Sequence, residues 1–288
     1  MYQGKIAMDT QEKATILIVE DNPLTVYTLI EYLKKIGIHI SVARNGEEAL
    51  RQVKILQPNL ILLDIMLPGI DGFETCQRLK NSFDTKEIPV IFMTAFSDTT
   101  NKVKAFEAGG TDYLTKPFDL KEIVARIETR LTIQKLQKRL HTRSLSTVRH
   151  EETEKAIILV AEDNEMTLHL ICGYLEKLGF QTIKAMTGED ALIRLKEQTL
   201  PDLILLDVMM PGIDGFETCR QIKANPLTRE IPVIFMTALT DISHKIKAFE
   251  VGGADYITKP HHYAEVIARV NTHLTLRTLQ KLLRKKSE

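Results

Sequence analysis

The chain has 288 residues, 44% of them hydrophobic, and its 38 Lys+Arg balance 38 Asp+Glu. That length suits two domains, each able to bury a core without disulfides or metals. Zero net charge excludes a globally basic nucleic-acid binder and an acidic disordered chain.

Residues 1–13 read as a polar leader, and the opening Met1–Ala14 lacks the apolar core of a signal peptide. Short β-rich apolar runs follow at Ile16–Val19, Ile38–Val42, Leu60–Leu63, Val90–Met93 and Tyr113–Leu114, and they read as buried parallel strands. Amphipathic stretches at about 24–36, 46–55, 72–80, 99–107 and 119–141 predict the helices between them. Asn22-Pro23 marks a helix start, Gly37 a helix stop, and Pro68-Gly69 a break after the third strand. The helical pattern ends in the polar stretch 144–155, which reads as a linker, and a second series opens at Ile157–Val160. No run approaches the length of a membrane span. Cys76, Cys172 and Cys219 cannot make a disulfide framework, and a reducing compartment follows. A cytoplasmic protein without membrane contact is the expectation.

The second series repeats the first. Residues 60–76, LILLDIMLPGIDGFETC, recur at 203–219 as LILLDVMMPGIDGFETC, identical at 15 of 17 positions, and IPVIFMTA at 88–95 recurs at 231–238. The offset is 143 for these blocks and 142 for Glu20-Asp21-Asn22 and Glu162-Asp163-Asn164, so the second copy has one extra residue between them. A period of this size is a duplicated domain rather than a solenoid. Alternating strands and helices give an α/β fold with a parallel sheet covered on both faces.

In an open parallel sheet, ligands bind beyond the carboxyl ends of the strands. Glu20 and Asp21 follow the first strand, Asp64 ends the third, Thr94 and Ala95 end the fourth, and Lys116 follows the fifth. The second copy supplies Glu162, Asp163, Asp207, Thr237, Ala238 and Lys259. Three converging carboxylates repel one another, and a hard divalent cation with oxygen ligands such as Mg²⁺ relieves that repulsion. Asp64 can then attack a phosphoryl group, with Lys116 and the Thr94 hydroxyl neutralising its oxygens. A single Asp at a strand end is ordinarily a solvated turn residue. Matched positions at the ends of strands one, three, four and five, present twice, point to a phosphoacceptor.

Both copies resemble the receiver domains of bacterial two-component response regulators, over about 14–131 and 156–274. The motifs that carry the resemblance are Glu-Asp-Asn, LILLD followed by MxPGIDG, MTA, and D-Y-x-T-K-P at 112–117 and 255–260. It implies two flavodoxin-like (βα)5 domains with sheets in 2-1-3-4-5 order, spanning 14–143 and 156–288. It makes Asp64 and Asp207 the phosphoacceptors, with one Mg²⁺ (or Mn²⁺) per domain. Asp21 and Asp163 would bind the ion directly, Glu20 and Glu162 would assist, and the Met66 and Met209 main-chain carbonyls would add a ligand. Lys116 and Lys259 would contact the phosphoryl group, ahead of cis bonds to Pro117 and Pro260. Thr94 with Tyr113, and Thr237 with Tyr256, would form the switch that alters the face of helix four, strand five and helix five. Each Tyr also reads as a half-buried sheet residue. The implied partner is a histidine kinase or histidine phosphotransfer protein.

Met66 and Met209, two residues past the acceptors, and Phe96 and Leu239, two past the threonines, offer no carboxylate or amide to orient water, so slow self-dephosphorylation is expected. The second copy carries His261-His262 where the first has Phe118-Asp119, as a surface or cap feature or, less in keeping with their adjacency, a metal site. Cys76 and Cys219 read as small buried hydrophobes.

The fifth helix of each copy overruns its sheet, with Ile133, Leu136 and Leu140, then Leu276, Leu279 and Leu283, at 3,4 spacing. Packing against the neighbouring domain, fraying, homodimerisation and continuation into an effector beyond Glu288 all fit that pattern. Its basic tips, including Lys135, Arg139, Arg284 and Lys285, read as solvated helix ends. An Asp-nucleophile phosphatase needs a second Asp where Met66 and Met209 stand. Two receivers leave no room for a helix-turn-helix output domain, and no GxxxxGK[ST] loop is present to suggest a kinase. The sequence therefore predicts a phosphoacceptor and not an output enzyme.

Overall fold

The computed structural model describes residues 14–95, 104–143, 155–197, 199–237, 242–259 and 262–285. The leader, nearly all of the linker, Phe96, Ala238, Leu239, Pro260 and His261 lie outside them.

The first repeat runs β1 (Thr15–Val19), α1 (Pro23–Lys34), β2 (His39–Ala43), α2 (Gly46–Leu56), β3 (Leu60–Asp64), α3 (Gly72–Asn81), β4 (Val90–Ala95), α4 (described over 104–107), β5 (Asp112–Lys116) and α5 (Leu120–Arg143). The second runs β6 (Ile157–Ala161), α6 (Glu165–Lys177), β7 (Gln181–Ala185), α7 (Gly188–Glu197), β8 (Leu203–Asp207), α8 (Gly215–Ala224), β9 (Val233–Thr237), α9 (Ile242–Glu250), β10 (Asp255–Thr258) and α10 (Tyr263–Lys285). The sheets are parallel, in the orders β2-β1-β3-β4-β5 and β7-β6-β8-β9-β10. This is the expected 2-1-3-4-5 topology, formed twice.

β3 and β8 are buried along their whole length, as continuous apolar runs with helices on both faces require. β5 is longer than its apolar pair suggests, because pairing with β4 carries it from Asp112 to Lys116. Asn22 caps α1 by accepting from the N–H groups of Leu24 (2.9 Å) and Thr25 (3.3 Å), with Pro23 in the first turn. Asn164 caps α6 by accepting from the N–H (2.9 Å) and hydroxyl (3.1 Å) of Thr167. Gly37 turns the chain after α1 at φ 74°, a conformation open to glycine.

Gly72 opens α3 close behind Asp64. A Cβ there would lie 2.2 Å from the Asp64 carbonyl oxygen, and one at Gly215 would lie 2.1 Å from that of Asp207. The glycines of MxPGIDG therefore let the helix approach the backbone of the strand end.

The chain divides into two compact units. Lys116 closes the first, and α5 belongs to the second together with β6 to α10. Within that second unit, α5 packs along α10 and α9, and the Arg130 guanidinium donates to Thr272 Oγ1 at 2.8 Å. Packing against a neighbouring helix is thus one use of the long α5. α10 is fastened to the base of its own sheet. Arg277 donates to the Asp202 carbonyl (3.0 Å), Lys281 pairs with the Asp202 carboxylate (2.8 Å), and Arg284 pairs with Glu230 (3.1 Å). Cys76, Cys172 and Cys219 are free and buried, and burial pushes the Cys76 and Cys219 thiols up to about 11. Among the described residues no helix is long and apolar enough to cross a membrane.

Burial raises the Asp202 carboxyl, but Lys281, the Ile157 N–H and Arg277 outweigh it and hold it below the usual aspartate range. A carboxyl lowered in the folded state adds stability above its unfolded value, and the gain disappears as pH falls through the folded value. Asp202→Asn is expected to lower stability near neutral pH by on the order of 1 kcal/mol. Melts at stepwise lower pH should show its difference from wild type vanishing in the acid range.

Candidate functional site

The register of the sheets gathers the polar strand ends. Asp64 stands opposite Met93 on β4, and Lys116 stands opposite Ala95. Glu20 directly follows β1, whose Val19 pairs with Leu63. As a result Lys116 Nζ lies 2.7 Å from Glu20 Oε2 and 2.8 Å from Asp64 Oδ2. The second repeat builds the same arrangement, with Lys259 Nζ 2.8 Å from Glu162 Oε2 and 2.6 Å from Asp207 Oδ2.

Glu20, Asp64, Glu162 and Asp207 are buried, whereas Asp21 and Asp163 are exposed. Ligand atoms of Glu20, Asp21 and Asp64 all lie within 4.8 Å of one another, and so do those of Glu162, Asp163 and Asp207. Burial raises the Glu20 and Glu162 carboxyls, with Asp64 and Asp207 adding repulsion. Lys116 and Lys259 offset only part of this. Burial works against the two ammonium groups, but the carboxylates they touch outweigh it and raise both lysines. Thr94 and Thr237 are buried at the ends of β4 and β9.

Each cluster is an all-oxygen, net acidic site with one exposed carboxylate. That donor set fits a hard divalent cation that keeps open positions. Beside it lie a buried Asp and a lysine that could share a phosphoryl group.

A family profile described as "Response regulator receiver domain" matches residues 16–128 and 158–271. The chain belongs to the response regulator receiver domain family. Among curated relatives, the response regulator PleD of Caulobacter vibrioides is 28% identical over 270 residues, 91% of this chain and 59% of its own length. The DNA-binding dual master transcriptional regulator RpaA of Synechocystis is 40% identical over 116 residues, covering 40% of this chain and 48% of its own. The chain therefore spans about half to three fifths of the length of these relatives. Among solved structures, the receiver domain of the Francisella response regulator 1452 is 33% identical, covering 43% of this chain and 99% of its own, at a TM-score of 0.40.

The structure brings together Glu20, Asp21, Asp64 and Lys116, and Glu162, Asp163, Asp207 and Lys259, as the sequence of a tandem receiver suggests. Met66 and Met209 are exposed beside these clusters, and the Met209 N–H donates to Asp207 Oδ1 at 3.3 Å. Tyr113 and Tyr256 are both buried rather than half-buried. His262 is exposed, and neither acidic cluster includes it. Sequence reasoning missed Glu47 and Glu189, which accept from the N–H groups of Ile70 (3.2 Å) and Ile213 (3.0 Å) and so hold the loops that follow the acceptors. Their recurrence at the first turn of α2 and α7 was the available signal.

Asp21 is exposed, so Asp21→Asn should change metal-free stability by no more than about 0.5 kcal/mol. Calorimetric titration with Mg²⁺ is expected to find two sites per wild-type chain and one in the variant. Unchanged stoichiometry would count against the first cluster as a cation site.

Proposed function

We propose that both receivers are phosphoacceptors, with Asp64 and Asp207 taking phosphoryl groups from a histidine kinase or histidine phosphotransfer protein. The observation that carries this reading is the lysine held between a buried Glu and a buried Asp, with nearly the same distances in both repeats.

In each transfer a carboxylate oxygen of the Asp attacks phosphorus. The new O–P bond forms as the bond from phosphorus to the donor breaks, and the electron pair leaves with the imidazole, which then takes a proton from water. Lys116 and Lys259 shift toward the phosphoryl oxygens, and the Thr94 and Thr237 hydroxyls donate to them. A Mg²⁺ ion held by Glu20, Asp21 and Asp64, or by Glu162, Asp163 and Asp207, would supply positive charge for the same oxygens, with the Met66 and Met209 carbonyls as added ligands.

Thr movement then leaves space for Tyr113 and Tyr256, and the face of α4, β5 and α5, like its counterpart in the second repeat, changes its preference for a partner, a second copy or a following effector. In this reading the chain transmits a state, and both matched segments are receivers.

Acetyl phosphate with Mg²⁺ provides the test. Intact mass should show up to two phosphoryl groups on wild type, one on Asp64→Asn, one on Asp207→Asn and none on the double variant. Modification of neither Asp would overturn the reading.

With methionine two residues past each acceptor, removal of donor should leave a phosphoprotein that decays over many minutes or longer, as followed by mass at intervals. A half-life of seconds would show that some other group orients the attacking water.

A further inference from the structure

The strand that carries the second switch residue is gripped by charges from two helices. Asp255, buried on β10, accepts from Arg126 of α5 at 3.1 Å and from Arg269 of α10 at 3.2 Å, with His273 Nε2 3.3 Å away. Its own carboxylate also accepts from the Tyr256 N–H at 2.8 Å. The Tyr256 hydroxyl donates to Glu122 of α5 at 2.5 Å. Arg126 lies over the Tyr256 ring, 5.2 Å from its centre, and pairs with Glu122 at 3.1 Å. Glu122, Arg126, Asp255, Tyr256 and Arg269 are each at most 5% exposed.

Glu122 and Arg126 are therefore not a solvated pair on a helix surface. They belong to the packing of Tyr256, although they come from the other repeat. A Tyr256 ring that turns toward Thr237 must give up the Glu122 bond and expose the ring face that Arg126 covers. At the other end, α5 joins Lys116, the partner of Asp64, through only Pro117, Phe118 and Asp119. Asp119 caps the helix by accepting from the Glu122 N–H at 3.0 Å. A shift of Lys116 toward a phosphoryl group thus acts on the chain immediately ahead of the turn that holds Tyr256.

We propose that α5 couples the two sites: the Glu122–Tyr256 bond restrains the second switch, and the state of Asp64 sets how tightly. The proposal rests on the phosphoacceptor reading of Asp64 and Asp207 and on Tyr256 as a moving residue. Coupling of this kind works through the populations of the two Tyr256 states, so the state of Asp64 should change the ease of filling Asp207.

The test measures the acetyl phosphate concentration, with Mg²⁺, that half-modifies Asp207, located by peptide mass. It compares the full chain with Asp64 intact and as Asp64→Asn, each also carrying Tyr256→Phe or Glu122→Gln. Asp64→Asn is expected to shift the half-point on the order of fivefold or more, and either second substitution should abolish the shift. Thermal melts establish that each variant is folded. Tyr256→Phe, which removes one oxygen, decides alone if Glu122→Gln does not fold. An Asp207 half-point indifferent to Asp64, or a shift that persists undiminished in Tyr256→Phe, overturns the coupling while leaving the phosphoacceptor reading intact. Failure of Asp207 to take any phosphoryl group overturns both.

Discussion

Each half of this chain depends on one ion-pair arrangement, a lysine drawn between a buried glutamate and a buried aspartate at the ends of three parallel strands. Carboxylates this close repel one another, and positive charge beside them relieves that repulsion. The lysine supplies one charge against three carboxylates, and burial still leaves the glutamates raised. The site is thereby poised for additional positive charge and for a ligand whose oxygens could take the lysine. Each lysine is only partly buried, so water shares in balancing the two buried carboxylates it touches.

That arrangement places demands on the rest of the sheet. β1, β3 and β5 must end at one level, and the pairing of Val19 with Leu63 and of Ala95 with Lys116 secures this. The backbone after β3 must turn without pushing the acceptor away, and Gly72 and Gly215 allow it because no side chain fits between the helix and the acceptor carbonyl. Glu47 and Glu189 hold the turn from the far side.

Much of this is legible in the sequence because it is local or periodic. The strands announce themselves as apolar runs, Asn22 and Asn164 as caps, and the acceptor loops as an almost unchanged repeat. The carboxylates could be placed together because strand ends of a parallel sheet face one edge. The charges around Tyr256 were not legible. Glu122 and Arg126 stand four apart on a helix, a spacing that normally reads as a surface pair, and nothing local reveals that Asp255, 129 positions on, completes the set. The grouping of α5 with the second unit is hidden for the same reason, since it is decided by packing over long sequence separation. The overrun of the fifth helix was visible, but its neighbour was not.

The duplication preserves the two acidic clusters more closely than what lies at the opposite edge of the sheets. Asn59 and Asp202 occupy equivalent places before β3 and β8, and both accept from the N–H that opens the neighbouring strand, Thr15 at 2.8 Å and Ile157 at 3.2 Å. Only the aspartate also carries a charge, which holds Lys281. The position matching Arg277 is Gln134, so the second fastening of α10, to the Asp202 carbonyl, has no guanidinium to repeat it in α5. Each exposed pair is worth little alone, but together they bind α10 along the base of its own sheet. Within the second unit, α5 is held by the buried charges around Asp255. The strand-end clusters thus recur with the same residues and nearly the same distances, whereas the charge and the guanidinium at the base occur in the second repeat alone.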